Sequence, residues 1–404
     1  MPSLNELVAE RFEAQCRFLA DIVRVPSDNP AGDCAPHAKR AAQLLTELGF
    51  AVEEHAVPEN VVRAHGMKTV TNLVVRQRFG NGPIIALNAH GDVVPPGEGW
   101  THDPYGAEIV DGWMYGRGVA VSKSDFATYA FALAALKKAG VPLKGTVELH
   151  LTYDEEAGGE IGPGWLLAQG ISKPDLAIGA GFSYGVVTAH NGCLHLEVEV
   201  KGRSAHAARP STGVDALEVA TDIMSGIYAY RQMLSARVSR VSGIGSPQVT
   251  VGLIKGGINT NVVPDRITFR LDRRMIPEED PVAVESELRA LMGGTAKHHP
   301  EARVEVRRVL LAKPLTELPA GKRMTDVLCR HATRIMGEPV KAGGVPLYTD
   351  ARHYAEQGIP IVLYGAGPHS IEEANAHRAN ERLKLSDLRK ATEVVAETLA
   401  ELMQ

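Results

Sequence analysis

The chain has 404 residues, of which 44% are hydrophobic and 23% are charged, with a formal net charge of -5. This length exceeds the size at which one core stops growing, so we expect two domains in a folded globular protein. The acidic balance gives no reason to expect nucleic acid or an anionic membrane as a partner, and no apolar run approaches membrane-spanning length.

The first half of the chain alternates predicted helices and strands. The amino terminus lacks the basic and apolar regions of a secretory signal, and Ser3 with Glu6 forms a capping box that begins an amphipathic helix running towards residue 23. Helical spacing of apolar residues predicts two more helices, one over about residues 35–48 and one with an apolar stripe at residues 126–136 that ends at Gly140. Strands are predicted at residues 71–76, 83–90, 146–153 and 175–178. This alternation indicates an α/β fold with a mostly parallel sheet flanked by helices.

The pattern changes near residue 190. Apolar and polar residues alternate over residues 194–201, which predicts a strand with one wet face, as antiparallel sheets commonly have. Helices at 214–233 and 281–292 and strands at 248–254 and 266–273 complete an antiparallel sheet with two helices, and after about residue 309 a helix, the strand 359–364 and a final helix from Ser386 follow. We therefore expect a discontinuous large domain, residues 1–190 and 309–404, with an inserted α+β domain, residues 191–308.

Residues suited to binding a metal ion follow two of the predicted strands. His90 and Asp92 end one strand, and Glu155 with Glu156 ends another; strand ends are where open α/β sheets hold their chemistry. His90 suits a metal such as zinc, and either the Asp92 carboxylate or a backbone carbonyl can fix its ring orientation. Neighbouring side chains on an extended chain diverge, so one glutamate can bind metal while the other acts as the general base.

Each of these features has a common structural explanation when it occurs alone. A His-x-Asp pair is usually hydrogen-bonded within a loop, paired acids usually form a solvated turn, and His377 alone would be a surface histidine. Their joint occurrence near strand ends favours a hydrolytic metal site, in which the ion supplies hydroxide near neutral pH and polarises a carbonyl.

Six motifs lie along the chain in the order Leu87–Pro95, Tyr115-Gly-Arg-Gly118, Thr152-Tyr-Asp-Glu-Glu156 with Gly158-Gly159, Gly202-Arg-Ser-Ala-His206-Ala-Ala-Arg-Pro210, Gly256-Gly-Ile-Asn-Thr-Asn261-Val-Val-Pro264 and His377-Arg-Ala-Asn-Glu381. As a set, running from about Pro26 to Glu381, they resemble the acetylornithine deacetylase, succinyl-diaminopimelate desuccinylase, aminoacylase and carboxypeptidase G superfamily of metallopeptidases, peptidase family M20. The resemblance implies a catalytic domain with a paired-metal centre and an inserted lid domain that commonly dimerises.

The resemblance also implies roles for individual residues. By position, His90 would bind one metal ion, Glu156 and His377 the other, and Glu155 would be the general base. His206 resembles the lid histidine that stabilises the developing oxyanion, often across a dimer.

Substrate binding is implied for a second set of residues. Asn261 and Arg273 resemble residues that hold a substrate carboxylate, the arginine through its forked guanidinium, and Arg352 is a further candidate for that contact.

Two positions depart from the family pattern. Val121 stands where the family has a bridging aspartate, and Ala180 stands where it has an acidic ligand. Asp125, four residues after Val121 and near a helix start, is either a replacement metal ligand or a carboxylate of the first helical turn. We place the ligand hypothesis first and expect one metal site rather than two.

The sequence thus predicts a cytoplasmic metal-dependent hydrolase that cleaves an amide or related C–N bond in a small carboxylate-bearing substrate. The expected cofactor is Zn²⁺, with Mn²⁺ or Co²⁺ as alternatives, and a homodimer through the lid domain is expected. The alternatives are a dipeptidase or carboxypeptidase of the same fold, and a non-catalytic binding protein that has lost its metal site, for which Val121 and Ala180 are the evidence.

Overall fold

The computed structural model describes residues 2–404, so the first residue of the predicted range 1–190 lies outside it. Two compact units are present. Unit 1 contains the described residues up to Thr188 together with Glu317–Gly343 and Thr349–Gln404, and unit 2 contains Ala189–Thr316 and Gly344–Tyr348. Within residues 2–404, no helix combines the length and apolarity needed to span a bilayer.

The helices of the described residues are α1 (Leu4–Glu10), α2 (Phe12–Val23), α3 (Ala35–Glu47), α4 (Glu59–Ala64), α5 (Lys123–Ala139), α6 (Pro163–Ala168), α7 (Ala216–Leu234), α8 (Pro281–Ala296), α9 (Lys322–Met336), α10 (Ala351–Glu356) and α11 (Leu385–Leu402). The strands are β1 (Val52–Ala56), β2 (Thr71–Arg78), β3 (Ile84–His90), β4 (Glu108–Val110), β5 (Trp113–Tyr115), β6 (Thr146–Thr152), β7 (Leu176–Gly179), β8 (Val186–His190), β9 (Gly192–Lys201), β10 (Gln248–Gly256), β11 (Arg266–Met275), β12 (Arg303–Ala312), β13 (Ala342–Val345), β14 (Ile361–Leu363) and β15 (Arg382–Lys384).

The large sheet has the strand order β1-β2-β6-β3-β7-β14-β8-β13. The four central strands, β6-β3-β7-β14, are parallel to one another. Outside them the pairing is antiparallel: β1 pairs with β2, β2 with β6, and β8 with β14. The central strands are largely buried on both faces, as is typical of parallel sheets covered by helices. Helix α5 is almost wholly buried, and its apolar side chains from Phe126 to Leu136 belong to the main core of unit 1. The predicted α/β fold class is confirmed.

Unit 2 contains a four-stranded antiparallel sheet in the order β10-β11-β9-β12. One face of β9, formed by Leu194, Leu196, Val198 and Val200, is fully buried in a core shared with helices α7 and α8. The alternating pattern of this strand therefore correctly predicted a sheet with one accessible face. The expected boundary between residues 308 and 309 falls inside β12, because this strand continues to Ala312 along the edge of the same sheet.

Several local predictions need correction. The predicted amino-terminal helix is two helices. α1 ends at Glu10 with Arg11 as its C-cap, and α2 begins at Phe12. The chain does not return to helix directly after residue 309, since β12 occupies residues 303–312 and α9 begins at Lys322. A three-stranded sheet, β15-β5-β4, was not predicted, because its strands have only three residues each and carry too little periodicity to recognise.

Candidate active site

The parallel register of two central strands brings the first candidate ligands together. His90 is the last residue of β3 and lies beside Thr152, the last residue of β6. The chain after β6 forms a single 3₁₀ turn at Glu155–Ala157, which places both glutamates at the same sheet edge. Ligand atoms of His90, Glu155 and Glu156 consequently lie within 4.8 Å of one another.

The His90 ring is oriented by the backbone of Asp92. His90 Nδ1 lies 2.9 Å from the Asp92 backbone oxygen and 3.4 Å from its carboxylate Oδ1. If Nδ1–H donates to that carbonyl, Nε2 is left to bind an ion, and Nε2 lies 3.9 Å from Glu155 Oε2. Burial lowers the pKa of His90, but the charges of Glu155, Asp92 and Glu156 outweigh burial and hold it well above its ordinary value.

The Asp92 carboxylate fixes the position of the acidic pair. It is fully buried, its Oδ1 accepts a hydrogen bond from the Glu155 backbone N–H at 3.2 Å, and its Oδ2 accepts from the Glu156 N–H at 3.2 Å and from Asn29 Nδ2 at 3.0 Å. Burial raises the pKa of Asp92, but the hydrogen bond and charge of His90, with hydrogen bonds from the Asp154 backbone and Asn29, lower it by more, so the net shift is downward. Asp92 is therefore an ionised positioning group beneath the turn.

His377 approaches Glu156 from the other end of the chain, although its ligand atoms are not in the group within 4.8 Å. Its Nε2 lies 3.4 Å from Glu156 Oε1, and its side chain is half exposed. The residue has a φ of +61°, a left-handed conformation that non-glycine residues rarely adopt and that is often found at functional sites. Glu156 Oε1 is buried and has no hydrogen-bond donor among the described residues. Because buried polar atoms are nearly always satisfied, this oxygen facing an imidazole fits a position for a cation.

Asp350 belongs to the same cluster and was not predicted. It is buried, its Oδ2 has no hydrogen-bond partner among the described residues, and its Oδ1 packs so closely on Gly159 that an added Cβ would lie 2.0 Å away. Burial first, and then the charge of Asp92, raise the pKa of Asp350 to about 7. The sequence signal for Asp350 is its position two residues before the candidate Arg352.

The clustered carboxylates repel one another. Burial, with additional repulsion from neighbouring carboxylates, raises the pKa values of Asp154 and Glu155 well above their usual range. A divalent cation relieves such repulsion and favours the ionised forms, so the donor set of two imidazoles and several carboxylates fits a metal such as zinc.

The position of Asp125 does not match its predicted role as a replacement metal ligand. Its Oδ1 accepts a hydrogen bond from the Ala366 N–H at 2.6 Å and its Oδ2 accepts from the Gly181 N–H at 3.2 Å. It is not part of the group of ligand atoms within 4.8 Å, and burial raises its pKa to about 7. The geometry favours the structural alternative, in which Asp125 joins backbone segments. Val121 and Ala180 supply no ligand atoms.

His206, the expected oxyanion-stabilising histidine, and Asn261, an expected substrate-binding residue, lie together in unit 2. His206 forms an antiparallel bridge with Val262, and the Ala207 N–H donates to the Asn261 backbone oxygen at 3.0 Å. Both side chains are exposed, so they are accessible to a ligand.

Arg273 does not support its expected role. It is fully buried, with Nη2 lying 2.6 Å from Glu279 Oε1 and 3.4 Å from the Tyr230 hydroxyl. The alternation of β11 places Arg273 on the core face, and this pattern was available in the sequence. Arg274, the next residue, lies on the accessible face and contacts Asp272. Arg352 is also buried and is paired with Glu160 at 2.9 Å.

The chain matches the family model described as peptidase family M20/M25/M40 over residues 86–401. The chain belongs to this family. It is 28% identical over 345 residues to the succinyl-diaminopimelate desuccinylase of Wolinella succinogenes, covering 82% of this chain and 87% of that protein. It is also 28% identical over 362 residues to the acetylornithine deacetylase of Proteus mirabilis, covering 89% of this chain and 87% of that protein.

A solved Bacillus subtilis structure, described as a dinuclear metal binding peptidase from the M20 family, aligns with a TM-score of 0.70 at 18% identity. The alignment covers 98% of this chain and 99% of the other, which supports the same fold. Membership of the M20/M25/M40 family identifies the chain as a hydrolase acting on C–N bonds and does not favour the non-catalytic alternative.

Proposed function

We propose that the protein is a zinc-dependent amidohydrolase that cleaves the amide of a small carboxylate-bearing substrate, such as an N-acyl amino acid. The observation that carries this proposal is the convergence of His90, Glu155 and Glu156 at the carboxyl ends of β3 and β6, with His377 Nε2 lying 3.4 Å from Glu156 Oε1. The desuccinylase and deacetylase names of two relatives support an acylated amine as the substrate class.

We propose His90, Glu156 and His377 as the ligands of one ion rather than two. Asp125 does not replace the carboxylates missing at Val121 and Ala180, because it is committed to backbone N–H groups. When bound, the ion supplies a nucleophile near neutral pH by lowering the pKa of water, and it polarises the substrate carbonyl.

Glu155 is the proposed general base. Burial raises its pKa, and the Asp92 carboxylate anchors its backbone N–H, so a group with high proton affinity is held at the sheet edge beside His90. Such a carboxylate accepts the proton of the attacking water and delivers it to the leaving amine. His206 is the proposed contact to the developing oxyanion, and exposed Asn261 is the proposed contact to the substrate carboxylate; Arg273, buried against Glu279, is not retained for that contact.

The test is turnover of a panel of N-acyl amino acids and dipeptides by wild-type and Glu155→Gln protein, each with measured zinc content. The variant is expected to keep its zinc and lose at least about a hundredfold in kcat, as removal of a general base does. The matched control is Glu13→Gln, whose carboxylate is almost fully exposed on α2. Undiminished turnover in Glu155→Gln would remove this residue as the base, and hydrolysis of dipeptides alone would overturn the acylated substrate class.

A homodimer formed through unit 2 is also proposed. The edge strand β10 exposes Leu253 and Ile254, and Ile258 follows it with 80% exposure. An exposed apolar edge strand is a surface that pairs readily with another chain. Sedimentation is expected to show a dimer, and Leu253→Lys with Ile254→Lys is expected to give monomers; a monomeric wild type would contradict the proposal.

A further inference from the structure

Three side chains converge on the accessible face of the unit 2 sheet. Cys193 and His195 are two residues apart on β9, so they point to the same face, and β11 places Asp272 directly opposite His195. Their ligand atoms lie within 4.8 Å of one another. None of the roles given above uses this cluster.

The three ligand atoms of the cluster are in mutual contact. His195 Nε2 lies 3.3 Å from Cys193 Sγ and 3.0 Å from Asp272 Oδ2, while Sγ and Oδ2 are 3.8 Å apart. Asp272 Oδ2 also accepts a hydrogen bond from the Cys193 thiol, so this oxygen is shared between the thiol and His195 Nε2. A cation at the centre of the triangle would satisfy all three atoms.

The size of the triangle matches a zinc site. Tetrahedral bonds of about 2.3 Å to sulfur and about 2.1 Å to nitrogen or oxygen separate the ligand atoms by about 3.6 Å (S–N and S–O) and about 3.4 Å (N–O). The observed separations of 3.3, 3.8 and 3.0 Å differ from these by no more than about 0.4 Å, which small side-chain rotations can supply.

The residues around the cluster orient the Asp272 carboxylate, and the cluster is partly accessible to solvent. Arg274 holds the carboxylate with a forked contact, in which Nε donates to Asp272 Oδ1 at 2.9 Å and Nη2 donates to Oδ2 at 3.1 Å. Burial raises the pKa of Asp272, but His195 and Arg274 lower it below its usual value, so the carboxylate is ionised near neutrality. Cys193 is buried, whereas the side chains of His195 and Asp272 keep about a third of their exposure, 34% and 30%. A solvent molecule can therefore fill the fourth position.

We propose that Cys193, His195 and Asp272 form a second, thiolate-containing site for a divalent ion of the zinc type. Binding forms bonds to Sγ, Nε2 and Oδ2; the thiol proton passes to solvent, and the neutral imidazole carries its hydrogen on Nδ1. Sulfur, nitrogen and oxygen donors in this combination are typical of zinc rather than of magnesium or calcium.

Cobalt titration of the full-length protein in a thiol-free reductant tests this site. Co²⁺ bound to a thiolate gives a sulfur-to-metal charge-transfer band in the near ultraviolet, and the nitrogen and oxygen donors proposed at the active site give none. The wild type is expected to develop the band to a limit of one ion per chain, and Cys193→Ser is expected to abolish it. Cys329→Ser, a half-buried thiol on α9, is the matched control and is expected to keep the band.

His195→Gln and Asp272→Asn provide an independent check, because both side chains are partly exposed and tolerate replacement. Loss of an outer-shell partner costs about 10–100-fold in metal affinity. Loss of a direct ligand is therefore expected to weaken cobalt affinity, measured by titrating the charge-transfer band, by at least that factor. Circular dichroism confirms that each variant is folded. A wild type without the band at saturating cobalt, a band that survives Cys193→Ser, or unchanged affinity in both other variants would overturn the proposal.

Discussion

Glu381→Gln is predicted to destabilise unit 1 without touching any proposed ligand. Glu381 and Arg117 are each 1% exposed and form an ion pair of 2.6 Å. Glu381 Oε1 also accepts from the backbone N–H groups of Ala120 and Val121 at 3.0 and 3.2 Å. These contacts join the segment after β5 to the segment that carries His377, so the pair stabilises the backbone next to this proposed ligand.

The expected cost follows from the burial of both charges. Removing one partner of a buried pair leaves the other uncompensated and costs about 3–5 kcal/mol. Glutamine keeps one carbonyl oxygen as an acceptor, and Arg117 retains the backbone oxygens of Pro96 and Arg378 at 3.1 and 3.3 Å, so the lower end, about 3 kcal/mol, is expected.

Tryptophan fluorescence during urea unfolding measures this cost. All three tryptophans, Trp100, Trp113 and Trp165, lie in unit 1, so the signal reports that unit. The control is Glu59→Gln, whose pair with Arg63 is exposed on α4 and is expected to contribute less than about 0.5 kcal/mol. A change below about 1 kcal/mol for Glu381→Gln would refute the reasoning from burial.

Three further predictions concern metal affinity, buried charge and acid stability. Asp92→Asn is expected to weaken zinc binding by about 10–100-fold in a chelator competition, because the carboxylate positions the ligand turn. Arg273→Met is expected to cost about 3–5 kcal/mol in unfolding followed by circular dichroism, whereas Arg274→Met is expected to change it by less than about 1 kcal/mol. Burial raises the pKa of Glu148, but His150, Ser172 and Arg76 lower it to about 2 in the folded chain. Its contribution is therefore complete above the unfolded value near 4.5 and is lost as the pH falls from there towards 2. The urea midpoint of wild type should fall more steeply below pH 4.5 than that of Glu148→Gln.

Each of these has an outcome that would contradict it. Unchanged zinc affinity in Asp92→Asn would mean that its hydrogen bonds do not position the ligands. Equal stability of the two arginine variants would mean that Arg273 is not buried with Glu279 as the structure shows. Parallel pH profiles for wild type and Glu148→Gln would place the acid sensitivity elsewhere.

The sequence predicted the elements whose periodicity extends over several turns or an entire strand. Helix α5 and strands β3, β6 and β9 lie within a few residues of their expected positions, because the spacing of apolar residues in their sequences reflects which side chains are buried. The short strands β4, β5 and β15 carry three residues each and depend on tertiary pairing, which periodicity does not record.

The site was predictable where strand ends carry the ligands, and less so where loops do. The parallel register brings His90 to the Glu155 and Glu156 turn, as the pattern indicated. Asp350 reaches the active site by packing against Gly159, which is distant in the sequence. The cluster of Cys193, His195 and Asp272 depends on the pairing of β9 with β11. Both depend on contacts between distant parts of the chain.

The most direct test of the account is the zinc stoichiometry of Cys193→Ser protein, in which the thiolate site is removed and only the proposed active-site ion remains. We predict one tightly bound zinc per chain, lost in the further variant His377→Gln and retained in Glu155→Gln. Protein that binds no zinc after saturation and dialysis, or that keeps its ion without His377, would contradict the central claim.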